Sequence, residues 1–218
     1  MTESMEPGKI KFLLADDHSV IRHGVIKALT VYFPEAEYSE ASNAAEVFLR
    51  IQEDRFDLVI LDISMPGRNG LEVLKEVKAS MPETPVIIFT MYPEDQFGVR
   101  SIRNGASAYM TKDISLNELV QAIRKILRGE RYLTPSLMDL IANDLQHGTD
   151  ICAHQVLSDR EYQVLILIAS GKSVSDIARE LSLSVKTISV YRANIIKKMK
   201  LKNNGEITHY AFKHDLVQ

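Results

Sequence analysis

Residues 58–67 read LVILDISMPG: four aliphatic residues without a polar break, an aspartate, then Pro66-Gly67 to turn the chain. A short run that is apolar at every position suits a strand covered on both faces, because a half-exposed strand alternates. Two other runs are nearly as continuous, IKFLLA at 10–15, broken by Lys11, and VIIF at 86–89, and weaker candidates lie at 36–41 and 106–110. Between them fall helical stripes at three- and four-residue spacing. Val20, Ile21, Val25, Ala28, Leu29 and Phe33 make one, Leu71, Leu74 and Val77 a second, and Leu116, Leu119, Val120, Ile123 and Leu127 a third. Strand and helix alternating five times predict an α/β doubly wound parallel sheet with right-handed crossovers.

Beyond residue 127 the pattern changes. RGERYLTPS is rich in turn formers, a short amphipathic helix is expected from Pro135 to Leu145, and HGTDICAH reads as linker. From Leu157 the pattern is purely helical, with segments at about 159–170, 174–181, 185–199 and 204–214, the first stopped by Gly171. Charge divides in the same place. Residues 1–154 hold 16 Lys+Arg against 23 Asp+Glu, whereas residues 155–218 hold 10 against 6. An acidic module followed by a basic one makes a polyanion a reasonable partner for the second.

Composition excludes several classes. With 45% hydrophobic and 25% charged residues, the chain of 218 residues is not disordered. It has no apolar run long enough to span a membrane. Its start, MTESMEPGKI, lacks the basic and then apolar run of a secretory signal. The single cysteine, Cys152, has no partner for a disulfide or at metal-ligand spacing. A cytoplasmic location is expected.

The polar residues gather at strand ends. Asp16 and Asp17 follow the first strand, Asp62 ends the third, Thr90 ends the fourth, and Lys112 follows the fifth. The carboxyl edge of an open α/β sheet is where ligands bind. With strand order 2-1-3-4-5, the first and third strands are neighbours and their three carboxylates converge. Mutual repulsion would raise their pKa values, and a hard divalent cation such as Mg²⁺ removes that cost. Asp62 then has the environment of a nucleophile that forms an acyl phosphate, with Lys112 neutralising the developing charge. Each residue alone has a plainer reading, as turn, strand or surface residue. Only their joint placement points to chemistry.

In the tail, Ile177, Ala178 and Leu181 share a stripe, Ser182 to Ser184 form a turn, and Ile188, Tyr191, Ile195 and Met199 share the inward face of the next helix. Its outward face carries Lys186, Ser189, Val190, Ala193 and Lys197. A helix-turn-helix enters the DNA major groove with short polar and basic side chains of this kind. A helical dimerisation domain would show the same stripes.

These stretches resemble a known family. LLADDHSVIRHGV, LVILDISMPGRNGLEVL, VIIFTMYPED and GASAYMTKD are similar to a two-component receiver domain with the flavodoxin-like fold. LSDREYQVLILIASGKSVSDIARELSLSVKTISVYRANIIKKMKL resembles the LuxR-type helix-turn-helix of NarL/FixJ-type response regulators. The resemblance implies a tail at 1–8, a receiver at 9–129, a linker with a short helix at 130–155 and a small all-α DNA-binding domain at 156–218. It implies that Asp62 takes a phosphoryl group from a sensor histidine kinase, that Asp17 and Asp62 bind Mg²⁺ directly and Asp16 largely through water, and that the Ser64 carbonyl completes the protein ligands. Thr90 and Lys112 would contact the phosphoryl oxygens, and Tyr109 stands at the position of an aromatic switch, expected to move inward behind Thr90. The bulky Met91 is expected to narrow access to the site. In the second domain Ser189, Val190 and Ala193 would face base edges, and Lys186, Thr187, Arg192 and Lys197 would contact the DNA, chiefly its phosphates, with Arg192 also able to reach a guanine edge.

The function implied is a transcription factor that dimerises when phosphorylated and binds double-stranded promoter DNA, with RNA polymerase as a further partner. It would not be an enzyme beyond taking up and slowly losing its own phosphoryl group. Two alternatives remain open. One is a DNA binder that uses the receiver only as a dimerisation scaffold, and the other is a Mg²⁺-dependent phosphohydrolase.

Overall fold

The computed structural model describes residues 9–146 and 153–217; the expected N-terminal tail and residues 147–152 of the expected linker lie outside the described residues. Five strands form one parallel sheet: β1 (Lys11–Ala15), β2 (Glu37–Ala41), β3 (Leu58–Leu61), β4 (Val86–Thr90) and β5 (Ala108–Thr111), in the order β2-β1-β3-β4-β5. Helices α1 (Ser19–Tyr32), α2 (Ala44–Glu53), α3 (Gly70–Ser80), α4 (Glu94–Arg103) and α5 (Leu116–Ile126) join them. The unbroken apolar runs have the predicted cause, since every residue of β3 and β4 is buried. Alternate strand residues serve opposite cores. Phe12, Leu14, Ile60 and Ile87 pack with Leu29 of α1 and Ile123 of α5. Leu13, Val59, Leu61 and Ile88 pack with Val47 of α2, Leu74 of α3 and Phe97 of α4.

The second half holds α6 (Pro135–Gln146), a 3₁₀ turn (Ala153–Val156), α7 (Asp159–Ala169), α8 (Val174–Glu180), α9 (Val185–Met199) and α10 (Asn204–Lys213). Their boundaries follow capping residues. Ser158, Ser173, Ser184 and Asn203 each accept a backbone N–H of the first turn, and Ser158 with Glu161 completes a capping box. Helix α6 lies along α4, where Thr134 Oγ1 and Ser136 Oγ donate to the Glu94 carboxylate at 2.8 and 2.5 Å. Gly98 makes room there, because a Cβ would stand 2.6 Å from Leu137 Cδ1.

The two halves share one core. Every residue of α7 is buried, and Leu165, Ile166 and Leu167 belong to the same apolar cluster as the α3 and α4 face of the sheet. Polar contacts fix this packing. Asp159, only 1% exposed, takes Lys75 Nζ at 2.7 Å and Arg100 Nε at 2.6 Å. Arg160 Nη2 donates to the Gly67 carbonyl at 2.6 Å, and the Tyr162 hydroxyl donates to the Gln96 carbonyl at 2.9 Å.

His154 ties the 3₁₀ turn to α10, its Nδ1 lying 3.0 Å from the Tyr210 hydroxyl. Burial, helped by neighbouring His214, Arg100 and Arg103, lowers its pKa to about 4. The unfolded imidazole titrates near ~6.5, so between these values the unfolded chain binds more protons and stability rises with pH. Melts of the full chain should lose up to about 3 kcal/mol as pH falls from 6.5 towards 4, the linkage equivalent of this shift. His154→Phe should flatten that part of the profile; an unchanged slope would show that His154 is not responsible.

Candidate functional site

Register brings the acidic residues together. Ala15 pairs with Leu61 across β1 and β3, so the next residues, Asp16 and Asp62, emerge side by side. The Asp62 N–H donates to the Ala15 carbonyl at 2.9 Å, and the Lys112 N–H donates to the Thr90 carbonyl at 2.8 Å. Five residues named from the sequence, Asp16, Asp17, Asp62, Thr90 and Lys112, therefore meet at the carboxyl edge of the sheet. Lys112 has a plain reading as a surface residue, but its side chain is 4% exposed and its Nζ stands 2.7 Å from both Asp16 Oδ2 and Asp62 Oδ2. Burial works against its charge, yet the two carboxylates outweigh burial and raise its pKa.

Three buried oxygens in this cluster have no hydrogen-bond partner: Asp17 Oδ1, Asp62 Oδ1 and Thr90 Oγ1. Leaving a buried polar atom unpaired costs about 1–3 kcal/mol, so three such oxygens side by side call for an ion, a water or a ligand. Burial, with Asp62 and Asp16 nearby, raises the Asp17 pKa, while His18 opposes the rise. Oxygen donors suit Mg²⁺, and the free oxygens of Asp17 and Asp62 fit such an ion. His18 was not among the residues singled out from the sequence. One ligand atom from each of Asp16, Asp17, His18 and Asp62 lies within 4.8 Å of the others.

A cavity of about 820 Å³ opens onto this cluster. Asp62, Thr90 and Lys112 line one side, and Ile166, Ser170 and Arg179 of the second half line the other. Met91 is also on its wall, although it is 71% exposed. Ser64 Oγ donates to the Tyr92 hydroxyl at 3.2 Å, and Gln163 Nε2 donates to the same hydroxyl at 3.2 Å. Gln163 Oε1 in turn accepts from Asn69 Nδ2 and Arg160 Nη1, both at 2.7 Å. The second half thus grips both loops that flank Asp62. Sequence reasoning missed this network. The available signal was the run VLILIA at 164–169 in α7, which leaves no solvated face over that stretch.

Tyr109 lies beneath the loop after Thr90. Its ring is fully buried, with its hydroxyl donating to the Tyr92 carbonyl at 2.7 Å, so it already occupies an inward position. Its pKa is raised well above the ordinary value, first by burial and then by nearby Asp62.

In the tail, Ile188, Ile195 and Met199 are buried and Tyr191 half-buried, as the stripe requires. Lys186, Ser189, Val190, Ala193 and Lys197 lie exposed on α9. Thr187 and Arg192 are half-buried; Thr187 Oγ1 lies 2.7 Å from Ser184 Oγ, and Arg192 Nε donates to Asn204 Oδ1 at 2.5 Å. Among the described residues, no helix is long and apolar enough to cross a membrane.

Comparison with known proteins agrees with this fold. Residues 12–124 match the family described as the response regulator receiver domain, and residues 155–211 match the luxR family of bacterial regulatory proteins. The chain is 33% identical over 215 residues to the oxygen regulatory protein NreC of Staphylococcus haemolyticus, covering 95% of this chain and 99% of that one. It is 34% identical over 209 residues to the response regulator GacA of Pseudomonas protegens, covering 95% and 98%. Among solved structures, RcsB from Salmonella enterica serovar Typhimurium, bound to a promoter with a phosphomimetic, superimposes with a TM-score of 0.61 at 23% identity, covering 93% of this chain and 98% of that one. A two-component LuxR-family regulator from Aurantimonas sp. gives 0.57 at 32% identity, covering 64% of this chain and all of that one. The chain therefore belongs to the NarL/FixJ-type response regulators, with a receiver domain followed by a LuxR-type DNA-binding domain.

Proposed function

We propose that this protein is a transcription factor switched by phosphorylation of Asp62. The observation that carries the proposal is the pairing of a free, buried Asp62 oxygen with an unpartnered Thr90 hydroxyl beside Lys112. One carboxylate oxygen of Asp62 attacks the phosphorus of a phosphohistidine on a sensor kinase, leaving the other oxygen for the cation. The new O–P bond forms as the P–N bond breaks, and the leaving imidazole takes up a proton. Lys112 balances the negative charge of the phosphoryl oxygens, and Thr90 donates a hydrogen bond to one of them. A Mg²⁺ ion held by Asp17, Asp62 and the Ser64 carbonyl, with Asp16 acting through water, supplies further charge neutralisation when bound.

The signal then runs through the loop after Thr90. A shift of Thr90 displaces Tyr92, whose carbonyl holds Tyr109 and whose hydroxyl is held by Gln163. Loss of that contact loosens the packing of α7 on the receiver and frees the second domain to pair with a second copy on DNA. In this scheme Tyr109 is the fixed partner of the moving loop. The exposed residues Lys186, Ser189, Val190, Ala193 and Lys197 provide the DNA-facing surface, while Thr187 and Arg192 contribute only if their present bonds within the domain are exchanged.

The test compares the full-length protein with Asp62→Ala on a pool of random duplexes, with and without beryllofluoride and Mg²⁺. Beryllofluoride should increase the affinity of the wild type for its selected duplex about tenfold, a change of ~1.4 kcal/mol. The variant should not respond. Equal selection by both proteins under both conditions would mean that DNA binding does not depend on Asp62.

A further inference from the structure

We propose that His18 is a nitrogen ligand to the cation of the acidic site and sets its metal preference. The inference rests on the reading that Asp17 and Asp62 hold a divalent ion. His18 is the residue before α1, with an extended backbone, and its side chain makes no hydrogen bond that caps the helix. Its backbone N–H donates to Asp16 Oδ1 at 2.8 Å, which bends the chain back over the acid pair. The ring Nδ1 stands 2.8 Å from Asp17 Oδ1 and 3.4 Å from Asp16 Oδ1. The nearer contact is an ion-pair distance and is not a hydrogen bond, so Asp17 Oδ1 has no hydrogen-bond partner.

An independent observation marks the same spot. The Asp62 side chain is 3% exposed, and its Oδ1, the oxygen not held by Lys112, has no partner. The donor atoms of Asp16, Asp17, His18 and Asp62 all lie within 4.8 Å of one another. Ligand atoms bonded at about 2.0–2.3 Å around a single ion are separated by roughly 3–4.6 Å. Donors at this spacing are therefore nearly in place. Lys112 is bound to Asp16 Oδ2 and Asp62 Oδ2, and Asp16 Oδ1 accepts the His18 N–H, so Asp17, His18 and the second oxygen of Asp62 face the ion directly while Asp16 acts through water.

The donor set determines the preference. Mg²⁺ favours oxygen and retains several waters, so imidazole adds little to its binding. Mn²⁺ and Ni²⁺ accept imidazole nitrogen, and in the divalent series Ni²⁺ binds more strongly than Mn²⁺. With these ions His18 takes the place of one water. The His18 side chain is largely exposed, so the ion can exchange with solvent without opening the core.

The full-length protein loaded with Mn²⁺ provides the direct test. Electron spin-echo modulation should show coupling to a ¹⁴N nucleus in the wild type, and His18→Ala should abolish it. Competition titrations should show that His18→Ala weakens Ni²⁺ about tenfold and changes Mg²⁺ by less than about twofold. Mn²⁺ binding that depends on Asp62 but lacks ¹⁴N coupling would overturn the role of His18 alone. So would an equal loss of Ni²⁺ and Mg²⁺ affinity. If Asp62→Ala binds Mn²⁺ as tightly as the wild type, the reading of the acidic site itself fails.

Discussion

Asp159→Ala should release the second domain from the receiver. The carboxylate of Asp159 is almost completely enclosed and neutralises Lys75 and Arg100, one from α3 and one from α4. Removing one member of a buried ion pair costs about 3–5 kcal/mol, because the remaining charges stay desolvated. Lys75 and Arg100 are partly exposed and regain water once the domains part, so the lower figure applies and closure should weaken by about 3 kcal/mol. That corresponds to a shift of about 150-fold towards the open form. Two measurements check it. Small-angle scattering should report a larger radius of gyration, and hydrogen exchange should quicken in the loop holding Gly67 and in the first turn of α4, which holds Gln96; Arg160 and Tyr162 occupy the carbonyls of these two residues. Curves and exchange rates that superimpose on those of the wild type would show that this ion triad does not hold the domains together.

Gly70→Ala should damage the fold and the site together. A Cβ there would stand 2.1 Å from the Asp62 carbonyl oxygen and 2.7 Å from Ile63 Cα. Both are backbone atoms of the segment that carries Asp62, so no side-chain rotation relieves the clash. Overpacking usually costs about 1–3 kcal/mol, and a backbone obstacle puts this substitution at about 3 kcal/mol or above. The denaturation midpoint should fall, and beryllofluoride binding should fail even where the protein remains folded, because the strain is relieved by moving Asp62. Gly24→Ala provides the control. Gly24 lies in α1 with nothing within 4 Å of the added Cβ. Helix propensity there favours alanine by up to about 1 kcal/mol. Similar midpoints for the two variants would refute the steric account.

The packed arrangement also bears on how the switch works. The outward residues of α9 are exposed while α7 is buried against the receiver. In the proposed scheme, restraint of the second domain would therefore act through its orientation and its freedom to pair, while the outward face of α9 stays open to solvent. Gln163 stands at the centre of this restraint. It bonds to Asn69 at the start of α3 and to Tyr92 before α4, so movement of either loop changes its contacts.

The local sequence specified a great deal. Nearly continuous apolar runs marked β1, β3 and β4 because both faces of those strands are covered, and stripes at three- and four-residue spacing marked the helices. The parallel order then placed Asp16, Asp17, Asp62, Thr90 and Lys112 at one edge, since residues that follow paired strand ends must emerge together. Contacts between residues far apart in the chain were decided only by the tertiary structure: Lys112 bridging two aspartates, Tyr109 already inside, Arg192 bonded to Asn204, and Asp159 held by two distant cations. Helical periodicity shows which side of a segment avoids water, but it does not identify the partner that covers it. Which surface meets α7, and which oxygens remain free for a ligand, depends on distances that arise only when the sheet, its loops and the second domain pack as one body.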